Sequence, residues 1–287
     1  MNAGLGLLAA SVLCSVTVAI LLKLARRYDI DVRQAIATNY AMAAVLCVSL
    51  LKPDLGRINL QGGNLLLLGA LGVLMPSVFV AMARSVRYAG IVRSDAAQRL
   101  SLFIALLAAF VLFGEPVTTT KLAGIALAFA ALFCVLRRPA DAPAHDGPPH
   151  AAWMWPLAVW AGYGTIDVLF KIMARSGSAF PGTLLMVFLL AGVLMTLYLL
   201  LARTRWQARS LAAGLLLGLM NFANIYTYIR AHQTLPDHPA LVFASMNMGV
   251  IALGTLAGAV LFREKLSAIN LVGLALAIGA IVVMMPR

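Results

Sequence analysis

Apolar residues run along this chain in ten blocks, each long enough to cross a bilayer core as a helix. The blocks cover 3–25, 34–52, 63–86, 91–113, 118–136, 152–174, 181–202, 209–231, 239–262 and 266–285. They are continuous rather than alternating, and strands of a membrane barrel alternate apolar and polar positions. In lipid only helices and closed barrels satisfy their own backbone, so the pattern predicts an all-α integral membrane protein with ten transmembrane helices.

The polar positions show that the ten blocks are two sets of five. Residues 115–139 read EPVTTTKLAGIALAFAALFCVLRRP, and residues 264–286 read EKLSAINLVGLALAIGAIVVMMP. Aligning Glu115 with Glu264 also aligns Gly124 with Gly273. Each copy follows an apolar run that ends in phenylalanine, FIALLAAFVLF or VIALGTLAGAVLF. Extended backward, the alignment sets Gln98 opposite Asn247 and Lys23 opposite Lys171. Arg84 meets Arg230 once three residues near 234–239 are skipped, and Pro76 then falls opposite Phe222. The polar, proline-rich stretch 137–150 separates a first repeat, 1–136, from a second, 151–287. An odd number of spans per repeat turns the second upside down, so the expectation is a 5+5 inverted repeat about a central site.

Composition agrees with lipid as the solvent. Hydrophobic residues make up 62% and charged residues 11%, against roughly 45–50% and 25% in soluble domains. The net charge of +12 sits mostly at block ends, where it sets topology, and no basic stripe interleaved with aromatics points to nucleic acid. Seven lysines and arginines fall nearest the face that carries both termini and fifteen nearest the other. By the positive-inside rule this places the termini outside the cytoplasm. Cys14, Cys47 and Cys134 read as apolar fillers, and His145 and His150 as polar linker residues, so no disulfide, metal or cofactor is expected.

With the stretches 114–133, GEPVTTTKLAGIALAFAALF, and 263–284, REKLSAINLVGLALAIGAIVVM, the chain resembles the drug/metabolite transporter superfamily, in particular its EamA-type ten-helix permeases. In that family a glutamate closes one helix and a glycine lies in the next, in both halves. The resemblance implies a permease with both termini in the cytoplasm. That opposes the charge count, and the side stays open.

Asp167 is the one carboxylate well inside an apolar block, and ionisable groups there are costly and mark function or a buried pair. Lys171 lies four residues on, so the two read either as a local ion pair or as a coupling carboxylate beside a lysine. Asp95 and Arg99 repeat that spacing. Gln98 and Asn247 have no route to the interface, and read equally as substrate contacts or as packing between helices. Asn221, Asn224 and Tyr228 recur on one face of the eighth block and should look inward. Pro76 is the candidate hinge. Gly254 and Gly258 form G-x-x-x-G, read as close helix packing, and Glu115 and Glu264 are expected to charge the N-terminus of the helix that follows each.

No H-E-x-x-H, Walker A or G-x-S-x-G motif occurs, which argues against an enzyme or an ATP-driven pump. The expected function is a secondary transporter in the plasma (inner) membrane, exporting a small neutral, zwitterionic or anionic metabolite, as a monomer or homodimer. The expected substrate-binding residues are Gln98, Arg99, Asn221, Asn224, Tyr228 and Asn247. The competing readings are a non-transporting assembly subunit, whose Asn221–Tyr228 stripe would face lipid or a packed seam, and a lipid carrier with a lateral opening.

Overall fold

A computed structural model describes residues 2–54, 56, 62–89, 91–136, 150–175, 180–262 and 268–284. Among these residues there are helices and turns and no strand. The helices are α1 (Asn2–Arg27), α2 (Val32–Leu46, extended by a π turn Cys47–Leu51), α3 (Gly62–Ala89), α4 (Ile91–Leu100), α5 (Leu102–Val111) and α6 (Thr119–Leu136). The second half continues with α7 (Ala151–Arg175), α8 (Phe180–Leu201), α9 (Ala208–Thr234), α10 (Pro239–Phe262) and α11 (Ala268–Met284). Seven stretches are long and apolar enough to cross a membrane, in α1, α2, α3, α7, α8, α9 and α10. Ala97–Val111, Thr119–Cys134 and Ala268–Met284 are shorter apolar helices.

The fourth predicted block is two helices. The break between them is the single residue Ser101, which keeps right-handed helical dihedrals and its amide bond to the Ala97 carbonyl at 3.2 Å, while its hydroxyl turns back to donate to the Gln98 carbonyl at 2.6 Å. The Trp160 indole of α7 donates to the Leu100 carbonyl at 3.1 Å. Side chains thus satisfy carbonyls at the break, which a helix interrupted inside lipid requires. By contrast α3 stays helical through Pro76, which is buried. Pro76, the candidate hinge, lies within one continuous helix, and the helix that is divided is the one at Ser101.

The two halves interlock. Helix α9 packs on α1 and α2, and α3 packs on α7 and α8. Across the halves, α2 lies against α8, α5 against α10 and α6 against α11. Two glycines one turn apart allow α9 to lie on the backbone of α2: a Cβ on Gly214 would come within 2.6 Å of the Ala35 carbonyl oxygen, and one on Gly218 within 2.7 Å of that of Asn39. A Cβ on Gly254 would meet nothing within 4 Å. The close packing expected at Gly254 is therefore not found there, whereas Gly258 is buried. At one end of the bundle Gln34, fully buried, ties α2 to the α8–α9 loop. It accepts from the Gln207 amide and donates to the Arg205 carbonyl, both at 2.8 Å.

Candidate functional site

Six helical elements leave a cavity of about 170 Å³ midway along their length: α1, α3, the α4–α5 break, α7, α9 and α10. On α9, Asn221, Asn224, Ile225 and Tyr228 line it at i, i+3, i+4 and i+7, one face of a helix. The break in the fourth block contributes Gln98, Arg99 and Ser101, and α10 contributes Asn247. Asp167 and Tyr163 of α7 and Ser15 of α1 complete the polar lining.

These polar groups differ in how far the protein has already engaged them. The Tyr228 hydroxyl donates to Asp167 Oδ1 at 3.2 Å. Asn224 Oδ1 accepts from the buried Ser11 hydroxyl at 2.7 Å, and Asn247 Nδ2 donates to the Phe243 carbonyl at 3.1 Å. The side-chain amides of Asn221 and Gln98 bond to no other described residue, although Asn221 is only 9% exposed. Buried amides normally find partners. These two instead face the cavity, where no described residue occupies their donors and acceptors.

Asp167 and Lys171, one turn apart on α7, do not pair. The Lys171 ammonium is 1% exposed and donates to the Pro236 carbonyl at 2.8 Å, just past the end of α9. A backbone carbonyl in a turn is an obligatory acceptor that no helical ladder fills, so it can hold the ammonium. Asp167 points instead into the cavity. The local ion pair expected from the spacing is thereby corrected. Glu115 also differs from expectation: its Oε2 accepts from the Ala240 amide in the first turn of α10 at 2.7 Å, and its Oε1 lies 2.9 Å from Lys121 of α6. It caps a helix of the other half. The side chains of Lys23 and Asp95, together with His145 and Glu264, lie outside the described residues.

Cavity residues not singled out from the sequence include Ser15, Tyr163, Met75, Val78 and Phe79. The internal alignment held the signal for them. The register that pairs Lys23 with Lys171 pairs Ser15 with Tyr163. The register that pairs Arg84 with Arg230 pairs Met75 with Asn221, Val78 with Asn224 and Phe79 with Ile225. Each of these residues lines the cavity. The α9 wall is thus polar where its equivalent α3 wall is apolar. No cluster of three or more histidine, cysteine or acidic residues suited to a metal occurs among the described residues.

Long apolar helices packed around a mid-depth polar cavity define a multi-pass membrane protein. Residues 2–137 match the model of the EamA-like transporter family. A protein of Haemophilus influenzae (strain ATCC 51907 / DSM 11121 / KW20 / Rd), described as uncharacterized, is 46% identical over 276 residues, 94% of each chain. A solved crystal structure shares the fold at a TM-score of 0.71 and 16% identity, over 98% of this chain and 96% of that one. The chain belongs to the EamA-like transporter family of the drug/metabolite transporter superfamily.

Proposed function

We propose that this protein is a secondary transporter of the plasma membrane, moving a small metabolite outward by alternating access. On this reading the chain crosses the bilayer ten times as a 5+5 inverted repeat, 1–136 and 151–287, joined by 137–150. The three shorter apolar helices then cross as well, α6 and α11 as spans of their own and Ala97–Val111 within the α4–α5 span. Two observations support the repeat. The packing of α1 on α9 and α10, and of α2 on α9, is mirrored helix for helix by that of α7 on α3 and α4, and of α8 on α3. Five pairs set opposite each other by the alignment, Gln98/Asn247, Ser15/Tyr163, Met75/Asn221, Val78/Asn224 and Phe79/Ile225, also line one cavity.

The observation that carries a transport role is the pair of uncommitted amides, Asn221 and Gln98, facing a mid-depth cavity. The substrate that suits this lining is amphipathic, with an apolar flank against Met75, Val78 and Phe79. Its polar end, neutral, zwitterionic or anionic, meets Gln98, Arg99, Asn221, Asn224, Tyr228 and Asn247. Asp167 is the coupling group, and the residues of the Ser101 break, rather than Pro76, move between states. The partners are the substrate and the bilayer, with the chain acting as a monomer or homodimer. The stripe Asn221–Tyr228 lines a cavity rather than a lipid face, which weighs against an assembly subunit.

Purified protein screened against metabolites by thermal shift, followed by liposome uptake of each hit with and without a pH gradient, tests this reading. Failure of every hit to accumulate in liposomes containing folded protein would sink it.

A further inference from the structure

Helix α10 is not equally buried on the two sides of the cavity. Toward the face where α9 hands over to α10, every residue of α10 from Pro239 to Ser245 is buried. Toward the opposite face, where α8 hands over to α9, only Gly258 is buried among residues 252–261. On the dense side, the α9–α10 turn is gripped from two directions. Lys171 of α7 holds the Pro236 carbonyl at 2.8 Å, and Glu115 of the α5–α6 turn holds the Ala240 amide at 2.7 Å. Both side chains are buried, at 1% and 6% exposure. Gly114, at φ +68°, turns the chain so that Glu115 can reach back to α10. Phe113 fills the space between, with the Arg175 guanidinium 4.7 Å and the Lys171 ammonium 5.9 Å from its ring centre.

We propose that Lys171 and Glu115 form a latch on the α9–α10 turn that seals the cavity on that face, and that its release opens the cavity there. The inference rests on the alternating-access reading. The chemistry of the grip is suited to a contact that must break. A purely apolar seal loses its burial on opening and gains nothing in exchange. A buried ammonium and carboxylate are costly to hold dry, and regain their hydration when the turn moves away. Closing rewards them with backbone partners and opening rewards them with water, so neither state is favoured overwhelmingly. The latch also sits on the helix that reads the site. Tyr228, which bonds Asp167 in the cavity, lies on α9 eight residues before Pro236, in the helix that leads directly into the gripped turn. Between them His232 is buried without a hydrogen bond, ring against ring with Tyr228 and Phe243.

The test is thiol labelling in membrane vesicles of both orientations. Cys14, Cys47 and Cys134 are replaced, and a single cysteine is placed in the cavity by Ser15→Cys. Separate chains carrying Asp237→Cys or Arg205→Cys, both exposed loop positions, report which face the impermeant reagent MTSET reaches. The cavity cysteine should react at least about ten-fold faster from the face that labels Arg205→Cys. Lys171→Met or Glu115→Ala should raise labelling from the Asp237→Cys face, while Lys171→Arg, which keeps a donor, should leave it low. Equal labelling from both faces with the latch intact overturns the proposal without any latch variant. So does unchanged labelling in folded Lys171→Met and Glu115→Ala proteins. Absence of uptake with one-sided labelling intact would instead count against the transport reading alone.

Discussion

The Tyr228 hydroxyl donates to Asp167 Oδ1, and neither partner has an equivalent in the other half of the chain: Asp167 falls opposite Ala19, and Tyr228 opposite Met82. The bond is a departure from symmetry at the centre of a symmetric cavity. Asp167→Asn should leave the melting temperature of the purified protein within a few degrees and remove the response of uptake to a pH gradient. Full gradient-dependent uptake by the variant would take the coupling role away from Asp167. Tyr228→Phe, which keeps the ring and loses the bond, should cost about 1.5–3 kcal/mol wherever the carboxylate is charged, and lie between the two in gradient response.

Asn221 and Asn224 are neighbours on one stripe with different obligations. Asn221 holds no other described residue in place, whereas Asn224 receives the bond from Ser11. Asn221→Leu should therefore weaken apparent affinity roughly ten-fold at unchanged stability, the cost of an unmet hydrogen bond of about 1–3 kcal/mol. Asn224→Leu should lower both uptake and melting temperature. Concentration-dependent uptake and thermal melts of the two variants check the contrast.

Substitutions at the glycines should separate by position. Gly214→Ala drives a Cβ into the Ala35 carbonyl and should destabilise by about 1–3 kcal/mol, the usual cost of overpacking. Gly254→Ala meets nothing and should fall within about 0.5 kcal/mol of the unchanged protein. Thermal unfolding in detergent distinguishes them.

Acid should loosen the α1–α2 junction. Asp31 caps α2, with bonds from the Arg33 amide at 3.0 Å and its guanidinium at 2.9 and 3.1 Å. Partial burial pushes its carboxyl up, but the bonds from Arg33 outweigh burial and hold it below its ordinary 3.8. A carboxyl that gives up its proton more readily when folded adds stability above about pH 4, and that share is lost as pH falls through the folded value. The melting temperature should drop between about pH 5 and 3, and Asp31→Asn should remove part of that drop.

The helices were readable because lipid demands long uninterrupted apolar runs, and their bounds follow the blocks to within a few residues. The cavity-lining amides were readable for the same reason: Gln98, Asn221 and Asn247 have side chains too short to reach the interface, which leaves only the interior. Lys171 was misread because its partner is a backbone carbonyl 65 residues away, and no side-chain pattern encodes a carbonyl. Glu115 reaches an amide 125 residues on, by a route that depends on how the halves dock. The break at Ser101 rests on a hydroxyl and a distant indole inside an otherwise continuous apolar run. Gly214 and Gly218, which bring α9 onto α2, stood in a more polar helix than Gly254, whose Cβ position meets nothing.

The interlocking of the halves has a consequence for how the protein is made. Helices α1 and α2 enter the membrane long before α9 leaves the ribosome, yet α9 is the helix their glycine-matched surface fits. Until it arrives, the Asn39–Ala35 backbone face of α2 and the buried hydroxyl of Ser11 wait without their partners. A nascent chain stopped at the 137–150 linker is therefore an unfinished surface, and the cell's insertion and quality-control machinery must hold it through the synthesis of α7, α8 and α9.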